Sequence, residues 1–145
     1  DEGDRQLTIP SAVIEDALMN QIRLDYKALP LGFFPIIPRL GYIALKHKDL
    51  VSVKAEGSVS VYGENDFSGE HLLKYSYRVK SQSRVVELVF EKAAPHTIVG
   101  FKESYPSAFD GEIRTTTATL ISSERLAYWE MNSPKDTEIR NKIGL

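Results

Sequence analysis

The chain contains no cysteine. That removes disulfide bridges, zinc–thiolate centres and cysteine nucleophiles together, and it leaves the redox compartment unspecified. Charge of one sign is not in excess either: 18 basic and 20 acidic side chains give a formal net charge of -2. Recognition of nucleic acid normally shows as a strongly basic domain or stripe, so no nucleic-acid partner is expected. None of the nine glycines falls in G-x-x-x-x-G-K-[ST] or G-x-G-x-x-G spacing, which leaves nucleotide use unsupported. No G-x-S-x-G elbow points to a serine nucleophile. The histidines His47, His71 and His96 include no pair at the i, i+4 spacing of a helical zinc motif. The sequence therefore assigns no catalytic residue, metal or cofactor.

A bilayer-spanning helix needs about 20 consecutive apolar residues, and the chain has no such run. Its greasiest stretch, LPLGFFPIIPRLGYIAL at 29–45, is interrupted by Pro30, Pro35, Pro38 and Arg39. No transmembrane segment is expected. The chain opens on DEGDRQ, an acidic polar leader of the kind that removal of an export signal leaves, although a trimmed start has the same look. Residues 1–7 are read as flexible, and export, periplasmic or secreted, is the expected localisation.

What is present suits one globular domain over 1–145, since 42% apolar and 26% charged residues match globular composition. Ile14, Leu18, Ile22 and Tyr26 recur every four residues, which predicts a helix over 11–27 with one apolar stripe. Thr8 or Ser11 is its expected cap, Glu15 and Asp16 suit the positive end of its dipole, and Pro30 ends it. From Asp49 the period falls to two. Val51, Val53, Ala55, Gly57, Val59 and Val61 alternate with polar residues, predicting a half-buried strand whose small Ala55 and Gly57 admit a close neighbour, for which the helix is the candidate. Residues 71–92 read as a hairpin, with further strands in TIVGFKESY and IRTTTATLIS, and SERLAYWEM is read as a strand. NSPKDTEIRNKIGL carries helix punctuation, with Ser133 as cap, Pro134 at the first position and Gly144 beyond the end.

The expected architecture is α+β: an N-terminal helix packed on a curved antiparallel meander of about five strands, followed by a short C-terminal helix. Cystatin-like and NTF2-like cones, half barrels and lipid-binding tubes all share this order of elements.

Three clusters invite functional readings. Glu64, Asp66, Glu70 and His71 crowd into GENDFSGEH, but without EF-hand spacing they read as a solvated turn rather than a calcium site. Thr115, Thr117 and Thr119 form a row that reads as a β-branched strand face. Lys74, Arg78 and Lys80, with Lys54 and Arg84 near, form a basic stripe that reads first as a solubilising sheet face.

The apolar stretch carries the main expectation. Burial of each large side chain in it contributes roughly 1.5 to 3 kcal/mol, so exposure of all of them is excluded. The expected form is an extended, proline-stiffened crossing that seals one end of the core. Some of Phe33, Phe34, Ile36, Ile37, Leu40 and Tyr42 then remain to contact a ligand or partner. The functional expectation is a non-catalytic domain that binds an apolar small molecule or lipid. The alternatives are a protein-interaction or assembly module using residues 29–45, and an NTF2-like cavity enzyme.

Overall fold

The computed structural model describes residues 8–131 and 133–142. Seven strands form one sheet in sequential order: β1 Val13–Ile14, β2 Gly32–Ile37, β3 Val53–Val61, β4 Leu72–Val79, β5 Arg84–Glu91, β6 Ile98–Pro106 and β7 Ile113–Thr119. Helix α1 spans Leu18–Asp25, α2 Leu40–Leu45 and α3 Thr137–Lys142. The class is α+β, as the pattern predicts, but the sheet has seven strands rather than about five, and it is mixed. From β2 to β7 all neighbours are antiparallel, whereas β1 runs parallel to β2 through Val13 opposite Ile36 and Ile14 opposite Ile37.

The first helix is shorter than its period suggests. Leu18 and Ile22 are buried and Tyr26 packs against the same core, so the apolar stripe is real. Its first two turns are not helical. Val13 and Ile14 join the sheet, Glu15–Ala17 form a 3-10 turn, and α1 begins without a side-chain cap. The competing interactions are specific. Glu15 Oε2 accepts the backbone N–H of Arg39 at 3.0 Å and Asp16 Oδ2 that of Leu40 at 3.0 Å. The two carboxylates expected at the start of α1 thus satisfy orphan donors at the start of α2, 24 residues away.

The stretch 29–45 is likewise more ordered than an extended crossing. In β2 the side chains alternate: Phe34 and Ile36 point into the core while Phe33 and Pro35 face solvent. Over most of its length β2 is an edge strand, the position in a sheet where proline is tolerated.

The core fills the space between α1 and the sheet with Leu18, Ile22, Leu29, Phe34, Ile36, Tyr75, Tyr77, Val79, Val86, Leu88 and Phe90. Gly57 does admit a close neighbour, but that neighbour is the Pro30–Phe34 segment rather than the helix. A Cβ at Gly57 would lie 2.7 Å from the Pro30 carbonyl oxygen and 2.8 Å from the Tyr75 hydroxyl. A second, smaller core lies on the opposite sheet face, where Tyr62, Phe67, Leu72, Val89 and Val99 come together.

Burial pushes the phenols of Tyr75 and Tyr77 above the ordinary value of 10.0, with the Glu103 carboxylate adding to the effect at Tyr77. The sign follows from linkage: a raised folded-state value favours the neutral phenol, so this contribution is complete below about pH 10 and is lost as pH climbs toward the folded values. Urea midpoints are expected to hold steady up to about pH 9 and then fall. A midpoint unchanged at about pH 11 would mean that the two hydroxyls ionise without unfolding.

At the C-terminal end, Pro134 opens a 3-10 turn that leads into α3, and the Asp136 carboxylate accepts the backbone N–H of Ser133 at 2.9 Å. The expected stop at Gly144 and the leader 1–7 lie outside the described residues. SERLAYWEM is not a strand: it is irregular, with a 3-10 turn at Tyr128–Glu130.

Candidate functional site

The sheet carries charge on both faces, arranged in opposite ways. On the inner face, Arg84, Glu103 and Glu15 are all buried. Arg84 leads β5 in phase with Val86, Leu88 and Phe90, and Glu103 lies in β6 in phase with Phe101. Arg84 Nε donates to Glu103 Oε1 at 2.6 Å, its Nη2 donates to Glu15 Oε1, and its Nη1 reaches Gln82 at 3.2 Å. The Tyr77 hydroxyl donates to Glu15 Oε1 at 2.7 Å, and Arg39 Nη2 donates to Glu103 Oε2. The Arg84 guanidinium stacks 4.6 Å from the Tyr42 ring centre. Burial pulls the Arg84 guanidinium below its usual value, and its hydrogen bond to Glu103 pushes it back up. Two arginines balance two carboxylates, and each guanidinium nitrogen of Arg84 has a hydrogen-bond partner. It ties the 3-10 turn before α1, the N-terminus of α2 and strands β4 to β6 into one unit.

On the outer face three basic groups, Lys54, Arg78 and Lys80, stand beside an open cleft. A cleft of about 670 Å³ opens over β2, β3 and the β4–β5 connection, lined by Phe33, Lys54, Glu56, Arg78, Lys80 and Ser81. Phe33 is 66% exposed, and the Lys54 ammonium sits 4.0 Å above its ring centre. A neighbouring cleft of about 370 Å³ shares Phe33 and Lys54 and continues along Pro35 and Ser52. Among the described residues, no carboxylate pairs with Lys54, Arg78 or Lys80. Two further clefts, of about 630 and 330 Å³, lie beside Phe109 and beside Met19 respectively. None of these four clefts is lined by Arg84, Glu103 or Glu15.

The basic stripe seen in the sequence therefore divides three ways. Lys74 is engaged by Glu64 at 2.7 Å and Glu87 at 3.0 Å, and Arg84 turns inward. Lys54, Arg78 and Lys80 remain on the open cleft. The acidic turn is not merely solvated. Glu64 also meets Lys102 at 3.2 Å, Asp66 meets Lys102 at 2.5 Å, and Phe67 lies on Gly100, where a Cβ would run into the ring. Hydrogen bonds from Lys74 and then Lys102 hold the Glu64 carboxyl below its usual value. No group of three or more metal-ligating side chains occurs among the described residues.

Of the six residues singled out from the sequence, Phe33 lies at the cleft mouth. Phe34 and Ile36 are core, Tyr42 is buried under Arg84, Ile37 is partly buried and Leu40 is 63% exposed on α2. Sequence reasoning places Glu15 at a helix start and Arg84 in the basic stripe, and does not bring them together with Glu103. Their signal is a charge falling in phase with apolar neighbours: Arg84 keeps step with Val86, Leu88 and Phe90, and Glu103 keeps step with Phe101. Neither a known protein family, nor a curated protein, nor a solved structure matches the chain. No helix among the described residues is long and apolar enough to cross a membrane.

Proposed function

We propose that the protein is a non-catalytic binding domain for an apolar molecule or lipid that carries an anionic group. The observation that carries this reading is the outer-face cleft, where an exposed aromatic ring stands beside three cations that no carboxylate of the described chain holds in an ion pair. Ligand sites typically combine apolar walls with a few convergent polar groups. Here Phe33 and Pro35 supply the apolar side, and Lys54, Arg78 and Lys80 supply the attraction for a carboxylate or phosphate. The inner network supports a structural rather than a catalytic role for the buried carboxylates, because each is already held by an arginine.

The test uses dodecyl phosphate, with dodecyl maltoside and dodecyltrimethylammonium as controls, read by calorimetry below their micellar concentrations. Dodecyl phosphate is expected to bind, and Arg78→Glu to weaken it by at least about tenfold, equivalent to about 1.4 kcal/mol. Equal binding of the anionic and cationic amphiphiles, or indifference to Arg78→Glu, would sink the reading.

A further inference from the structure

The two edges of the sheet are finished differently, and the difference points to a second copy of this chain. The β1–β2 edge is blunted: β1 has two residues, and Pro35 stands in β2. Short edge strands and prolines are recognised protections against strand-to-strand association. The β7 edge has none of these protections. Its seven residues, IRTTTAT, include no proline, glycine or lysine, and all are exposed. Such a strand is a template for pairing.

The free backbone groups can be assigned. Ser107 donates to Glu112 and Leu120 donates to Val99 across the β6–β7 ladder. Hydrogen-bonded pairs alternate with non-bonded ones along an antiparallel pair. With the observed register, Arg114, Thr116 and Ala118 therefore turn their backbone toward β6, and Ile113, Thr115, Thr117 and Thr119 turn theirs outward.

We propose that β7 pairs antiparallel with β7 of a second copy, about a two-fold axis at Thr116, to make one continuous sheet. This is the only antiparallel register that sets 113–119 fully against itself. It places Thr115 opposite the second copy's Thr117, Ile113 opposite Thr119, and Arg114 opposite Ala118. No charge meets a like charge. Arg114 is also neutralised within its own chain by Asp110 at 2.5 Å, and a net charge of -2 per chain opposes association only weakly. The side chain of Ile113, 59% exposed, gains cover in the same arrangement. The inference is independent of the cleft on β2 and β3.

Sedimentation velocity from low to several hundred micromolar chain tests it. The mass is expected to double with concentration, and amide exchange at Thr115 and Thr117 to slow at least about tenfold in the concentrated sample, as for amides gaining a ladder hydrogen bond. Thr117→Pro, at a position whose N–H has no partner among the described residues, is expected to give a monomer with unchanged circular dichroism. Thr115→Lys does the same by charge, and it serves if the proline variant fails to fold. A chain that is monomeric at every concentration overturns the proposal, and so does a dimer that both variants leave intact.

Discussion

Arg84→Ala is expected to lower the unfolding free energy by about 3 to 5 kcal/mol, the usual cost of removing one member of a buried charge pair. The reason is what remains behind. Glu103 would keep Arg39, but Glu15, at 6% exposure, would retain only the Tyr77 hydroxyl and the Arg39 backbone N–H as partners for a full negative charge. The arginine's aliphatic stem and its stacking on Tyr42 are lost in the same step. Because the unpaired charge dominates this cost, the double replacement Glu15→Gln, Arg84→Met, which keeps the Arg39–Glu103 pair, is expected to recover most of it, as neutral exchange of buried ion networks commonly does. Urea denaturation of the two variants decides the matter. A loss under about 1 kcal/mol for Arg84→Ala, the range of exposed pairs, would show that the network contributes little to stability.

Phe34→Asp is the second large effect, and its neighbour supplies the control. The Phe34 ring fills the core beside Gly57 and is 9% exposed, whereas Phe33, one residue earlier on the opposite face, is 66% exposed. Truncating a buried phenylalanine alone typically costs about 3 to 5 kcal/mol, and a carboxylate left in apolar surroundings adds to that. The Phe34→Asp variant is thus expected to lose at least about 4 kcal/mol, enough to unfold a domain of modest stability. Phe33→Asp is expected to shift stability by no more than about 0.5 kcal/mol while removing the aromatic wall of the cleft. Similar denaturation midpoints for the two variants would contradict the alternation of β2.

Those two phenylalanines also show what the sequence makes legible. Period-two segments such as Leu72–Val79 and Arg84–Glu91 announce themselves, because apolar residues recur at every second position over most of their length. The four-residue stripe likewise identifies Leu18 and Ile22 as core. The first turns of the predicted helix go elsewhere because tertiary partners outweigh local propensity. Glu15 meets Arg84, and Asp16 meets the N-terminus of α2, and neither partner is near in sequence. The stretch 29–45 hides its strand because prolines mask the alternation and both faces of β2 are apolar. The cleft was half legible: the stripe of lysines and arginines could be seen, but not which of them the acidic loop would engage.

That loop has a consequence for the whole outer face. Glu64 and Asp66 hold Lys74 and Lys102 while the ring of Phe67 settles on bare backbone at Gly100, so acid groups and an aromatic arrive together on a covalent tether. Tethering keeps their effective concentration high, and an outside competitor has little chance at that end of the ridge. The molecule has in this way neutralised part of its own cationic surface and left Lys54, Arg78 and Lys80 unneutralised by any described carboxylate.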